Sequence, residues 1–403
     1  MLKTIHYNVA ILVTSLSTQA FAQGVLIPSE APQPSMKTLD QIYDIAEAAT
    51  NQVTIVNATN TPGDTSSEFI ISSSGSYRLN SSFTSTKTTA ISIEASNVTL
   101  DLNGHHLLGI SSTGTIGIQI GSETTSVTIH NGSISDFDIG IKSSETHETE
   151  GEVYMSNLLL HHLTVNGCQK YGVMIGRGGI IKDCVVSDNR NESGNCYGIW
   201  AKRDTIVKDC AVRGNYSNSA CYGIYVENIC QVIDCLSNAN TGGTSTGTRG
   251  VGIFAQNECK IDRCSTSQNV GDGIRISSQV SVTNCNVTDN GTGTNSGGIQ
   301  VTGMYCTLRN NDISQNTVGV LVSAVDNTII NNVISHNTTG IDVDSANNII
   351  IQNKLISNTT AIDIVAEHTS NNFVGEQSTS SVATANPWAN FIIPEYVAPV
   401  ENE

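Results

Sequence analysis

Charge is scarce in this 403-residue chain, at 14% of positions, and aromatic side chains are scarcer still, at 5%. A helical bundle or coiled coil draws on far more charge than that. Basic residues are the rarer sign, 19 Lys and Arg against 36 Asp and Glu, giving a net charge of -17. That balance excludes a general nucleic-acid binder, which needs a basic footprint to neutralise phosphates. Beyond the N-terminus no run of about 20 apolar residues is present, so no transmembrane segment is expected. Missing too are a paired C-x2-C zinc spacing, a phosphate loop, a GxSxG elbow and an HExxH pair, which removes the commonest metal, nucleotide and nucleophile signatures. What is abundant is Gly, at 35, with Asn, Ser and Thr throughout and a hydrophobic share of 38% weighted to Val and Ile. Such a chain can bury a core, and it reads as many short strands separated by turns.

Lys3 and His6 precede an apolar run from Val9 to Val13, and Ala20-Phe21-Ala22 then places small residues where a signal peptidase reads. A signal peptide over residues 1–22 is therefore expected, with a secreted, periplasmic or cell-surface protein as its product. Residues 23–67 form an N-terminal segment in which Ser35, Leu39, Ile42, Ile45 and Ala46 predict a short capping helix, followed by a linker. The repeat described next fills 68–375, and 376–403 is a C-terminal cap or tail holding Pro387, Trp388 and Phe391.

Self-similarity organises the chain. Asn311-Asp312-Ile313-Ser314, Asn332-Val333-Ile334-Ser335 and Asn353-Lys354-Leu355-Ile356 recur every 21 residues, each followed by a second Asn and then by Gly319-Val320-Leu321-Val322, Gly340-Ile341-Asp342-Val343 or Ala361-Ile362-Asp363-Ile364. The same register runs back through Cys285, Cys264, Cys235, Cys210 and Cys184 to His161, Asn131 and Asn103, which makes eleven turns. A unit this small cannot bury its own apolar face and must stack on its neighbours. The expected fold is all-β, a parallel β-helix of about eleven coils and about 50 Å, with Asn side chains laddered along one corner.

With these turns, and with Ser74-Gly75-Ser76-Tyr77-Arg78-Leu79 leading into Val98-Thr99-Leu100-Asp101-Leu102-Asn103-Gly104-His105, the chain resembles the right-handed parallel β-helix proteins, the pectate lyase-like superfamily that also includes polygalacturonases and alginate epimerases. The resemblance implies the right-handed coil and a secreted bacterial type of protein. None of the catalytic signatures of those enzymes is present, so no activity follows from it residue by residue.

The strand after each second Asn alternates apolar-x-apolar, which turns x outward. Coil by coil, x is Gln119, Lys142, Met174, Trp200, Tyr225, Phe254, Arg275, Gln300, Leu321, Asp342 and Asp363, and a second column holds Tyr171, Tyr197 and Tyr222. Three consecutive outward aromatics in an aromatic-poor chain read either as a stacking platform for sugar rings or as rings that stiffen the sheet. Residues 166–275 also hold 12 Lys and Arg against 10 Asp and Glu. A cationic, aromatic middle on an acidic protein suits a polysaccharide, an acidic one in particular. Trp200, Tyr225, Phe254, Arg275, Tyr197 and Tyr222 are the expected substrate-binding residues. For lyase or epimerase chemistry Arg275 or Lys202 could neutralise a uronate while Tyr225, Lys202 or Glu227 served as base; for hydrolysis, Glu227 and Asp272 are the candidate carboxylate pair. Asp342, Asp344 and Asp363 could bind Ca2+, though no cofactor is required. The rival reading is a non-catalytic adhesive solenoid, a monomer in either case, that contacts a protein or cell-wall partner. Inserts at Arg190–Asn195, Thr241–Arg249 and Gly291–Ser296 precede outward strands and could wall a groove.

The 11 cysteines fall into columns. Those in the Asn ladder are expected as interior thiols, because stacked Cβ atoms about 4.8 Å apart are too far for a disulfide. Cys196 with Cys221, and Cys230 with Cys259, are the expected bridges.

Overall fold

The computed structural model describes residues 53–143, 157–243, 250–291, 296–365, 372–378 and 386–394. The expected signal peptide and capping helix lie outside these residues, and no helix occurs among them. From Val53 onward the described chain is an all-β parallel solenoid of about 12 turns. One turn more than the markers indicate is present, because Gly75–Arg78 and Phe83–Thr84 complete a coil before Asn103, the earliest marker.

A coil contains three strands. In one of them Cys221–Asn228 is followed by Gln231–Ile233 and Leu236–Asn238 before Val251–Asn257 opens the next. Each strand pairs in parallel with its counterpart one coil on, as Ile224, Ile253, Ile274 and Ile299 do on the first face. Ile199, Ile224, Ile253, Ile274 and Ile341, all expected inside, are fully buried. Val, Ile and Leu from all three faces meet in a single core that runs through the stack.

Corners make this coil possible. Between the second and third faces Asp234, Arg263, Asn284 and Asn310 adopt left-handed φ of 53°, 53°, 56° and 57°, a conformation that Asn and Asp tolerate best. The residue after each points inward and must satisfy turn amides that no strand reaches. Asn311 Nδ2 donates to Asn332 Oδ1 at 2.9 Å, Asn332 to Asn353 at 3.0 Å and Asn353 to Asn390 at 3.2 Å. A second ladder, Asn189 to Asn215 to Asn240 to Asn269 to Asn290, occupies the corner leading into the first face, with links of 2.8, 2.9, 2.9 and 2.9 Å. Glycine follows this ladder for a steric reason: a Cβ on Gly223 would sit 2.2 Å from Ser237 Oγ and 2.7 Å from the Gly252 carbonyl.

All 11 cysteines are buried free thiols, Cys196, Cys221, Cys230 and Cys259 among them, so neither expected bridge is formed. Cys196 and Cys221 are in-register strand partners. That geometry holds stacked Cβ atoms near the strand spacing rather than at the shorter separation a disulfide requires. The thiols instead donate to nearby carbonyls, Cys196 to Asn189 at 3.3 Å and Cys230 to Asn228 at 3.2 Å. Burial pushes the Cys168 thiol up to about 12.

Candidate functional site

The outward column of the first face is assembled in the expected register. Met174 pairs with Trp200, Trp200 with Tyr225, Tyr225 with Phe254, Phe254 with Arg275, and the series continues through Gln300 and Leu321 to Asp342 and Asp363. Met174 and Leu321 are nevertheless nearly covered, at 6% and 5% exposure. Tyr171, Tyr197 and Tyr222 form the neighbouring column.

Six rings from the two columns make one contiguous, half-buried surface. Tyr197 stacks on Trp200 at 5.0 Å and on Tyr222 at 5.1 Å, and Tyr222 stacks on Phe254 at 5.8 Å. Tyr225 meets Tyr197, Tyr222 and Phe254 edge-on at 5.3, 5.2 and 5.2 Å, while Tyr171 closes the near end against Trp200 at 5.4 Å. Each ring therefore supports its neighbours and still offers part of its area to solvent.

Polar groups line one edge of these rings. Trp200 Nε1 donates to Glu227 Oε1 at 2.9 Å, and Lys202 Nζ lies 5.2 Å from the Trp200 ring centroid. Since Ala201 pairs with Val226 and Arg203 with Asn228, Lys202 and Glu227 occupy matched positions on adjoining coils. Gln256, a residue sequence reasoning missed, donates from Nε2 to the Tyr225 hydroxyl. Burial, then the charge of Glu227, holds the Tyr225 phenol above the usual tyrosine range, so it stays protonated where a base would have to be ionised.

Asp272 and Arg275 pair with each other. The Arg275 guanidinium donates to Asp272 Oδ2 at 2.6 Å, the Gly297 amide donates to Oδ1 at 2.8 Å, and Asp272 is fully buried, which raises its carboxyl above the ordinary range. Asp272 falls in the Tyr222 column two coils on, whereas Glu227 is at the far end of its own strand. Strand rise and strand spacing place their Cα atoms roughly 19 Å apart, well beyond the ~5–9.5 Å carboxylate separation that glycoside hydrolysis uses. The pair is not brought together.

The basic residues of this region are largely spent on turn carboxylates, including Arg177 on Asp204 at 2.7 Å, Arg263 on Asp234 at 2.7 Å and Lys260 on Asp262 at 3.3 Å. Asp342 and Asp363 sit on adjoining coils, and burial followed by the charges of Asp344 and Asp363 raises the Asp342 carboxyl. Among the described residues no group of three or more His, Cys, Asp and Glu side chains is placed to hold a metal ion, so these three do not form a fitted Ca2+ site. Of the inserts, Arg190–Asn191 forms a short parallel pair with Tyr216–Ser217; residues 244–249 and 292–295 of the other two lie outside the described chain.

Residues 223–378 match the family described as right handed beta helix region. No curated protein matches the sequence. Among solved structures, the A-module of the Azotobacter vinelandii mannuronan C-5 epimerase AlgE4 is similar, with a TM-score of 0.56, 14% identity, and coverage of 81% of this chain and 92% of that one. The AlgE6 A-module from the same organism gives 0.55 and 14%, covering 88% and 93%. A pectate lyase is a more distant likeness, at 0.39 and 14%, covering 62% and 70%. At such identities the likeness establishes the fold alone. No helix among the described residues is long and apolar enough to cross a membrane.

Proposed function

Taking as premise that the chain is a right-handed parallel β-helix repeat protein, we propose that it is an exported polysaccharide-binding protein whose ligand lies along the aromatic face of its middle coils. One observation carries this reading: six half-exposed rings touch one another on neighbouring coils of one face, in a chain with only 5% aromatics. Sugar rings present apolar faces at intervals along a chain, and a row of aromatic faces is their complement. The two structural neighbours named as mannuronan C-5 epimerase A-modules are consistent with such a ligand and do not specify it.

Should the face also process its ligand, the groups for proton transfer are Glu227, oriented by the Trp200 indole, and Lys202 beside it, with Tyr225 as a hydrogen-bond donor. Arg275, paired with Asp272, contributes positioning more than free positive charge. The test is to titrate the full chain with acidic and neutral polysaccharides, following binding by affinity electrophoresis and products by unsaturated-uronate absorbance and reducing ends. Binding that weakens when Trp200 or Phe254 is changed supports the platform. Binding without any product reduces the protein to a binding module, and no binding across the panel transfers the reading to an adhesive solenoid with a protein partner.

A further inference from the structure

The polar edge of the aromatic face decides which charge its ligand can carry. Lys202, Glu227 and Gln256 follow one another on adjoining coils, each one residue past the inward Ala201, Val226 and Ala255, and all three are half-buried. Glu227 Oε1 is taken by the Trp200 indole at 2.9 Å, and Gln256 Nε2 donates to the Tyr225 hydroxyl. Glu227 Oε2 and Gln256 Oε1 have no partner among the described residues, and neither oxygen is sealed from solvent. The Tyr225 hydroxyl has accepted a hydrogen bond and keeps its own proton to donate. The edge therefore offers two open acceptors and one donor beside rings that are already held in place.

Positive charge that could meet an acidic sugar is engaged elsewhere. Arg275 is bound to the buried Asp272 at 2.6 Å, and Lys202 is not free. Burial is the main cause of the raised Tyr197 and Tyr225 phenols, and the charge of Glu227 adds to it in both, so a carboxylate sets the potential around these hydroxyls. Further along the outward column of Trp200, Asp342 and Asp363 stand on adjoining coils, in the path of a chain laid across the coils. At the other end, beyond Tyr171, a pocket of about 380 Å3 is lined by Ser111, Thr113, Asp138, Lys170, Arg190 and Ser193 among others. There Lys170 is paired with Asp138 at 3.0 Å and Arg190 with Glu192 at 3.0 Å, so its lining adds no free cation. Outside residues 166–275 the chain carries 7 Lys and Arg against 26 Asp and Glu, so a polyanion approaches a protein that repels it.

We propose that the ligand of this face is an uncharged glycan whose hydroxyls are held by Glu227 Oε2, Gln256 Oε1 and the Tyr225 hydroxyl, and that Glu227 is the residue that turns acidic sugars away. The proposal rests on the glycan-binding reading of the face and adds the charge class of the ligand and the residue that sets it. A sugar hydroxyl can donate to the carboxylate or the carboxamide and accept from the phenol, so an uncharged ring answers all three groups. A uronate adds a carboxylate that has no proton for either acceptor, and like charges brought together at a contact are strongly disfavoured. A ligand ammonium meets the opposite obstacle, since Lys202 stands at the matching position on the coil before Glu227. The excess of Lys and Arg in residues 166–275 points to an acidic ligand only while their carboxylate partners are left out of account.

The experiment uses the full chain and polymers that differ in charge on one backbone: methyl-esterified against de-esterified polygalacturonan, and hydroxyethylcellulose against carboxymethylcellulose, with mannan, dextran and galactan as further uncharged probes. Association is measured by calorimetry at low salt and at about 0.5 M NaCl. At least one uncharged polymer is expected to bind with an affinity that salt leaves unchanged. Every acidic polymer should bind about tenfold more weakly or not at all at low salt, and recover as salt screens the repulsion. Glu227→Gln keeps an acceptor for the Trp200 indole and removes the charge, so it should narrow the gap between uncharged and acidic polymers by about tenfold. The salt series is read on the parent chain and stands whether or not that variant folds. Acidic binding as tight as uncharged binding, or acidic binding that weakens with salt, would overturn the proposal and leave the aromatic face standing as a ligand site. A folded Glu227→Gln variant that keeps the full discrimination would overturn it as well. Uncharged binding that is indifferent to Trp200→Phe, or no binding across the panel, would instead sink the face itself.

Discussion

Replacing Trp200 separates what the aromatic face does for the fold from what it does for a ligand. The ring touches Tyr171, Tyr197 and Tyr225 at 5.4, 5.0 and 6.0 Å, and its indole nitrogen holds Glu227. A buried Trp→Ala change costs about 3–5 kcal/mol; for a half-exposed ring about half of that applies, and the lost bond to Glu227 adds about 1 kcal/mol. Trp200→Ala should therefore lose about 3 kcal/mol, and Trp200→Phe, which keeps the ring contacts, about 1 kcal/mol. For a domain of roughly 350 residues the unfolding entropy is about 0.7 kcal/mol per degree, so the melting temperature should fall by about 4 °C and about 1 °C respectively. Alanine is thus a poor probe of binding, and phenylalanine is the informative variant. If the ring stacks on sugar, Trp200→Phe loses part of a contribution of about 0.5–1.5 kcal/mol, read as a severalfold weaker association by calorimetry. Two results would refute the reasoning: an alanine variant that melts with the parent, which would mean the rings do not support one another, or a phenylalanine variant that melts 1 °C lower yet binds every glycan as the parent does, which would remove Trp200 from the ligand site.

Three further outcomes are expected. Asn311→Ala should cost about 3 kcal/mol or more in denaturant unfolding, since it strands the Cys285 amide and removes the side-chain donor to Asn332 Oδ1 and to the Val282 carbonyl within a buried ladder, whereas Asn311→Cys, which extends the run of cysteines already in that column, should cost visibly less. All 11 thiols should resist a thiol reagent in the native protein and react stoichiometrically once it is denatured; titration of several native thiols, or mass-mapped bridges, would contradict their burial. Burial raises the phenols of Tyr171, Tyr197, Tyr222 and Tyr225, so the unfolded chain gives up these protons first and stability should decline as pH climbs through the ordinary tyrosine range, with phenolate absorbance of the folded protein lagging that of the denatured chain. By the same shift, any product formation near neutral pH should survive Tyr225→Phe better than Glu227→Gln.

How much of this was legible in the sequence depends on whether a feature repeats. The ladder column is written out as Asn311, Asn332 and Asn353 at a constant interval, and because a coil can stack on the next in only one register, the interval also fixes the partners of Trp200, Tyr225 and Phe254. Export and a capping helix rest on residues outside those described, and the number of coils was one short because the first coil carries no marker of the repeat. Features that depend on displacement along a strand were not legible. Glu227 and Asp272 are close in coil count, yet they stand at opposite ends of the face, since Asp272 belongs to the Tyr222 column; aligning each residue to its neighbour's position, rather than to its coil, would have separated them.

Asp138 shows the converse. Its column runs through Thr115, Lys170, Cys196 and Cys221, so the alignment that orders the aromatics also sets a carboxylate one coil away from a lysine. Read as a column, that is a buried ion pair and no more. What the column cannot contain is the lateral wall: Arg190 and Ser193 come from an insert that interrupts the repeat, and Ser111 and Thr113 from a turn three coils before that insert. A repeat specifies stacking, and stacking leaves every coil equivalent; it is where the repeat is broken by an insert that one coil differs from the next and a walled, open pocket can exist. The platform could therefore be found from periodicity, and the pocket only from the structure, because a lateral wall on a solenoid requires an interruption that periodicity does not record.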